Sequence, residues 1–134
     1  MKGLFNMKEI IIDDKKYKID CNAFTYIKYP TFFKNGIIDD MNGVRNYIVE
    51  QTLLVNKYKN EGKTDDEATT LVSQLLSKKI DDFISKITQI AWILIYTADE
   101  NIESYENWLK NIKKFKITDK WIVEVAEFAV STFC

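Results

Sequence analysis

Ile80–Glu100 reads I-D-D-F-I-S-K-I-T-Q-I-A-W-I-L-I-Y-T-A-D-E. Ile80, Phe83, Ile84, Ile87, Ile90, Ala91 and Leu94 fall on one face at helical spacing, so the segment is an amphipathic helix over most of its length. Between Ile90 and Tyr96 the character changes, because Trp92, Ile93 and Ile95 lie off that stripe. A helix that is apolar all round is normally enclosed by other elements. This segment is therefore expected at the centre of the fold, with the rest of the chain arranged to cover it.

Upstream, Thr64-Asp65-Asp66-Glu67 has capping-box spacing: Thr64 can accept from the third backbone amide and Glu67 can reach back. The central helix is expected to start there and run on to Tyr96. Gly62, just before it, suits the left-handed end of a preceding helix. That helix starts at Ile37 and carries Ile37, Met41, Val44, Ile48, Val55 and Tyr58 on one stripe, with Gln51 in the polar gap. Asn22 caps a shorter helix with Phe24, Tyr26, Ile27 and Tyr29, which Pro30 is expected to end or kink. Thr31–Asn35 then reads as a turn closed by Asn35-Gly36. Lys8–Ile12 and Lys16–Asp20 are short Ile- and Tyr-rich runs around Asp13-Asp14-Lys15, the pattern of a β-hairpin. A lone hairpin is marginal in water, so it packs on the helices or lends its edge to a partner's sheet.

Downstream, a short helix fits Ser104–Ile112 with Tyr105, Trp108 and Leu109 inward. A last helix is expected from a Thr118 cap, with Asp119 in its first turn. Its apolar side carries Trp121, Ile122, Val125, Phe128, Ala129 and Phe133. The fold class is mainly α: an N-terminal β-hairpin over 1–21 and a bundle of about five helices over 22–134, in one domain. At 134 residues, 46% hydrophobic and 29% charged, the chain can bury a core without disulfide or metal staples.

Composition narrows the chemistry. There is no histidine, which removes the commonest general base, nucleophile activator and metal ligand at once. The carboxylate pairs Asp39–Asp40, Asp65–Asp66 and Asp81–Asp82 are sequence neighbours that point to different sides of a helix, and Glu124–Glu127 lacks a partner at a defined spacing. All read as helix-start charge or solvated surface. No glycine-rich phosphate loop or EF-hand spacing is present, and Cys21 and Cys134 fit neither a disulfide framework nor a zinc site. The expectation is a protein with no catalytic, cofactor or metal site. With a net charge of -1 and lysines interleaved with acids, nucleic acid is not the expected partner, although Lys110, Lys113, Lys114 and Lys116 could gather on one face. Apolar stretches are too short for a signal peptide or a membrane span, so a reducing cytoplasm is expected. Trp92, Trp108 and Trp121 read as core. Tyr29, Phe32 and Phe33 around Pro30 are open between core and docking surface.

Three segments carry a resemblance: EIIIDDKKYKIDCN (9–22), AWILIYTADENIESYENWL (91–109) and WIVEVAEFAVSTF (121–133). Together they resemble the opening hairpin, the apolar helix with a Thr-Ala-Asp break and Trp-bearing helix, and the terminal helix of tail assembly chaperones of long-tailed phages and prophages of low-GC Gram-positive bacteria. Asp14 stands where that hairpin often has glycine. A single arginine, Arg45, among 19 basic residues fits an AT-rich source. The resemblance implies a non-enzymatic factor in the host cytoplasm, absent from the mature virion. It would bind the tape measure protein, recruit tail tube subunits and self-associate along its client. The implied client surfaces are Tyr29, Phe32 and Phe33, the hairpin edge, and the terminal helix through Trp121, Val125 and Phe128. Competing readings are another phage structural or connector protein, or a small regulator acting on host protein or nucleic acid.

Overall fold

A computed structural model describes residues 8–133, with the side chains of Thr132 and Phe133 excepted. The opening residues 1–7, the place of Phe133 on the apolar side and the Cys134 thiol fall outside that description. The chain forms a hairpin, β1 (Lys8–Ile12) and β2 (Lys15–Ile19), followed by six helices. These are α1 (Ala23–Phe32), α2 (Ile37–Asn60), α3 (Asp65–Leu75), α4 (Ser77–Ala98), α5 (Tyr105–Asn111) and α6 (Lys120–Phe133). Mainly helical architecture behind an N-terminal hairpin is what the sequence pattern leads one to expect, with one helix more.

The hairpin pairs Ile12 with Lys15 across a two-residue turn, and Asp13 and Asp14 both take positive φ, 51° and 68°. A turn of this kind matches the right-handed twist of the strands. Its inner face buries Ile10, Ile12 and Ile19 on the helices, and its tip is fastened where Asp13 Oδ2 accepts from the Lys113 backbone N–H at 2.7 Å. Packing on its own bundle, rather than isolation, stabilises this small sheet.

The extra helix comes from a break at Leu76, where the backbone leaves helical geometry (φ -97°, ψ 12°). Thr64 caps α3 as expected: its hydroxyl accepts from Glu67 N at 3.1 Å and the Glu67 carboxyl accepts from Thr64 N at 3.0 Å. No glycine or proline marks the break. Ala68, Val72 and Leu76 are buried and continue without phase change into Ile80 and Phe83, so a stripe on one straight helix and a stripe folded over at Leu76 have the same pattern. The fold lets α3 and α4 both cover α2, as a straight helix of that length could not.

Pro30 does not end α1, which runs two residues further to Phe32. The ring sits in the last turn, where few intrahelical bonds remain to lose. The end is closed by the Phe33 N–H donating to the Tyr29 carbonyl at 3.0 Å. Helix α6 begins at Lys120 rather than at a Thr118 cap, and the Asp119 carboxyl accepts from Lys116 N at 2.9 Å instead. Gly62 takes its left-handed conformation at φ 95° after α2.

Helix α4 lies at the centre. Ile90, Ala91, Trp92, Ile93, Leu94 and Ile95 are all buried, which fulfils the expectation from its all-round apolar character. Around it α1, α2, α3, α6 and β2 share one continuous apolar core with the rest of the hairpin and Trp108 of α5. Where α2 passes α4, Gly43 leaves room for the Lys86 side chain, whose Nζ stands 2.6 Å from where a Cβ would be. Lys86 is itself held by Asp82 at 2.7 Å.

Candidate functional site

Polar groups inside the core are satisfied mainly by one another. Asp40, read from sequence as helix-start surface charge, is 2% exposed. Its Oδ2 accepts from the Tyr29 hydroxyl at 2.6 Å and its Oδ1 from the Asn35 amide at 3.1 Å. Its place in the first turn of α2 adds a favourable interaction with the helix dipole. The Gln89 amide oxygen lies 3.1 Å from the same hydroxyl as a second, longer acceptor, with its NH₂ group turned to Ser85 Oγ at 3.3 Å. Burial, with the adjoining Asp40, pushes the Tyr29 hydroxyl far above the ordinary tyrosine range. The network ties α1, the loop after it, α2 and α4 together. Tyr29 and Asp40 at its centre are buried, while Asn35 and Gln89 at its edges reach solvent, and the network reads as structural.

Cys21 is equally closed. Burial pushes its thiol up to about 12, which removes the thiolate that nucleophilic chemistry requires. Among the described residues no group of three or more His, Cys, Asp or Glu side chains could hold a metal ion. None of their helices is long and apolar enough to cross a membrane.

The residues expected to bind a partner divide sharply. Tyr29, Trp121 and Val125 are buried, at 0%, 3% and 0% exposure, and in this packing they are core. The reason is periodicity: each falls on the face of its helix that looks inward, whatever its aromatic or aliphatic character. Phe33 and Phe128 are half-buried against the core. Phe33 packs edge-on against Tyr105, with ring centroids 5.1 Å apart. Phe32 alone of the six is exposed. It lies edge-on over Trp92 and Tyr96, at 4.9 and 5.2 Å between ring centroids, and caps the central helix rather than standing free.

The surface feature with the form of a binding site lies elsewhere, between α2 and α6. An apolar cleft of about 460 Å³ opens there. Its floor is the Tyr47–Phe83 ring stack, with centroids 4.4 Å apart, together with Ile122 and Ala126. One lip is formed by Arg45, Ile48, Val49 and Gln51 on α2, the other by Val123, Glu127, Val130 and Ser131 on α6, and Ile117 and Thr118 complete the lining. Val49, Val123 and, one turn beyond Val49, Leu53 are 50%, 52% and 65% exposed. Val49 and Val123 both line the cleft and leave apolar surface open on its two lips, while Leu53 lies outside the lining.

Local sequence explains the cleft. Helix α6 has its buried stripe at Trp121, Ile122, Val125, Ala126 and Ala129, and a second at Val123 and Val130. The second stripe is wider than its own core requires. On α2, Val49 and Leu53 at i and i+4 lie beside the Met41–Val44–Ile48 stripe in the same way. None of these four was legible as a site residue, because each helix alone reads as amphipathic and only their adjacency makes a cleft. The available signal was the width of the apolar arc, most clearly on α6.

A smaller cleft at the hairpin tip is polar, with Lys114 and Lys120 set among Asp13, Asp14 and Asp119. The lysines of this end are therefore mixed with acids in space as well as in sequence. Such a surface lacks the concentrated positive field that phosphate binding needs. No family model, characterised protein or solved structure matches the chain.

Proposed function

We propose that the protein is a non-enzymatic assembly chaperone of the phage tail type, acting in the host bacterial cytoplasm. In this reading it binds hydrophobic segments of the tape measure protein, helps to recruit tail tube subunits, and does not stay in the mature virion. The α2–α6 cleft is the observation that carries it. A small helical body with an apolar cleft on its outside is suited to hold apolar surface of another protein. The three resembling segments add the particular client.

The test is co-expression with the tape measure and tail tube proteins encoded beside it, followed by co-purification and light scattering. Several copies on one soluble tape measure chain are expected. A tape measure left insoluble, with no association, would contradict the reading; recovery of the protein in purified virions would favour a connector instead.

A further inference from the structure

We infer that residues 112–119, between α5 and α6, form a strap that lifts off the start of α6, is latched shut by Asp13, and lengthens the α2–α6 cleft when it opens. Its use as a gate rests on the cleft being the client site; its movement does not. The strap lies between the two clefts. Ile117 and Thr118 line the apolar one, while Lys114 and Asp119 line the polar one at the hairpin tip. Trp121 belongs to the polar lining and its neighbour Ile122 to the apolar lining. With the strap lifted, the two spaces join along the first turn of α6.

The strap is lightly held. Lys113, Lys114, Lys116 and Thr118 are exposed, and Phe115 is 37% exposed. Ile112 and Ile117 are half-buried against the core. The Lys116 N–H donates to the Asp119 carboxylate and the Asp119 N–H to the Lys116 carbonyl, both at 2.9 Å, and these bonds travel with the segment. The tie to the body is the Lys113 N–H donating to Asp13 Oδ2 at 2.7 Å, across 100 positions of sequence. Segments with few buried contacts and solvent-exposed bonds are the first to open. Closure also has a cost. Phe115 packs on Trp121 with ring centroids 6.2 Å apart, and the Trp121 indole N–H is buried without an acceptor. A buried donor left unpaired disfavours the state that buries it, and lifting Phe115 lets water reach it. The Asp13 latch offsets that cost.

Hydrogen exchange by NMR on the full chain tests the strap, reading the Lys113 amide and the indole N–H groups of Trp121 and Trp108. Trp108 is fully buried in the core, so in the wild type the Trp121 indole should exchange at least about ten-fold faster than that of Trp108. Asp13→Gly removes the latch, and glycine takes the φ of 51° at that turn position without strain. It should speed Lys113 and Trp121 about ten-fold further, with Trp108 and the α4 amides of 90–95 unchanged. Phe115→Ala, which leaves the latch in place, should speed Trp121 but not Lys113. Equal rates for the two indoles in the wild type, or acceleration spread over the whole chain in both variants, overturns the strap. The gate is read with the apolar dye bis-ANS. Asp13→Gly should bind it about three-fold or more tightly as the open population rises, and Val123→Glu, on the cleft lip, should weaken that binding. Dye binding unchanged by Asp13→Gly overturns the gate. A strap that opens in a protein that leaves the tape measure insoluble sinks the chaperone but not the strap.

Discussion

Helix α4 from Ile90 to Ile95 and helix α6 from Trp121 to Val130 are both rich in aliphatic residues around a tryptophan, although Glu124 and Glu127 interrupt the second. Their surroundings are opposite. The α4 segment is buried at every position, while α6 is covered on its inner side and leaves Val123 half exposed beside an open cleft. Apolar content therefore does not distinguish a core from a binding face; the number of neighbours does. One region holds the molecule together, and the other carries more apolar surface than the chain itself covers.

Substitutions can break or sharpen that contrast. The largest effect is expected for Leu94→Ala in the enclosed segment, a loss of about 3 kcal/mol in urea unfolding. Next comes Asp40→Ala, which takes the short acceptor at 2.6 Å from the buried Tyr29 hydroxyl and should cost about 2 kcal/mol; Asp40→Asn, which keeps an oxygen for it, should cost less. Thr64→Ala removes half of the α3 capping box and should cost about 1 kcal/mol. The same cap gives a pH signature. Hydrogen bonds from the Thr64 amide and hydroxyl hold Glu67 below the ordinary glutamate range, so its contribution is complete above the unfolded-state value and is lost as pH falls through the folded one. Acid titration of a Glu67→Gln variant should lack that component, while Thr64→Ala, which keeps the backbone amide bonded to Glu67, should only weaken it. Asp14→Gly should gain about 0.5 kcal/mol, because glycine takes a φ of 68° without steric cost. Smallest of all, Val123→Ser in the cleft should change stability by less than about 0.5 kcal/mol while weakening partner binding. A stability loss there as large as that of Leu94→Ala would erase the distinction between the two regions.

Much of the fold was legible because the deciding signals are local. All-round hydrophobicity placed α4, the Thr64–Glu67 spacing placed a helix start, Gly62 placed an end, and the Ile- and Tyr-rich runs on either side of Asp13-Asp14-Lys15 placed the hairpin. What escaped was set by tertiary contact. The turn at Leu76 leaves the helical stripe in phase and so leaves no trace in the pattern. Asp40 looks like any acidic residue in a first turn until Tyr29 and Asn35 arrive from the preceding segment to meet it. The burial of three of the expected partner-binding residues has a related reason. Tyr29, Trp121 and Val125 stand out as large apolar residues, and large apolar residues on the inward stripe are what a core consumes. The residues left uncovered, Val49, Leu53 and Val123, are as apolar as Val125 but lie beside the stripe rather than on it. They form a surface only because α2 and α6, far apart in sequence, pack side by side.

Hydrogen exchange of the full chain, free and bound to soluble tape measure fragments, separates the cleft most directly from the other surfaces. Slowed exchange in 45–53 and 122–131, with α4 from 90 to 95 unchanged, is the expected footprint. Slowing confined to 23–33 or to the hairpin, with both cleft helices unaffected, would show that the client is held elsewhere.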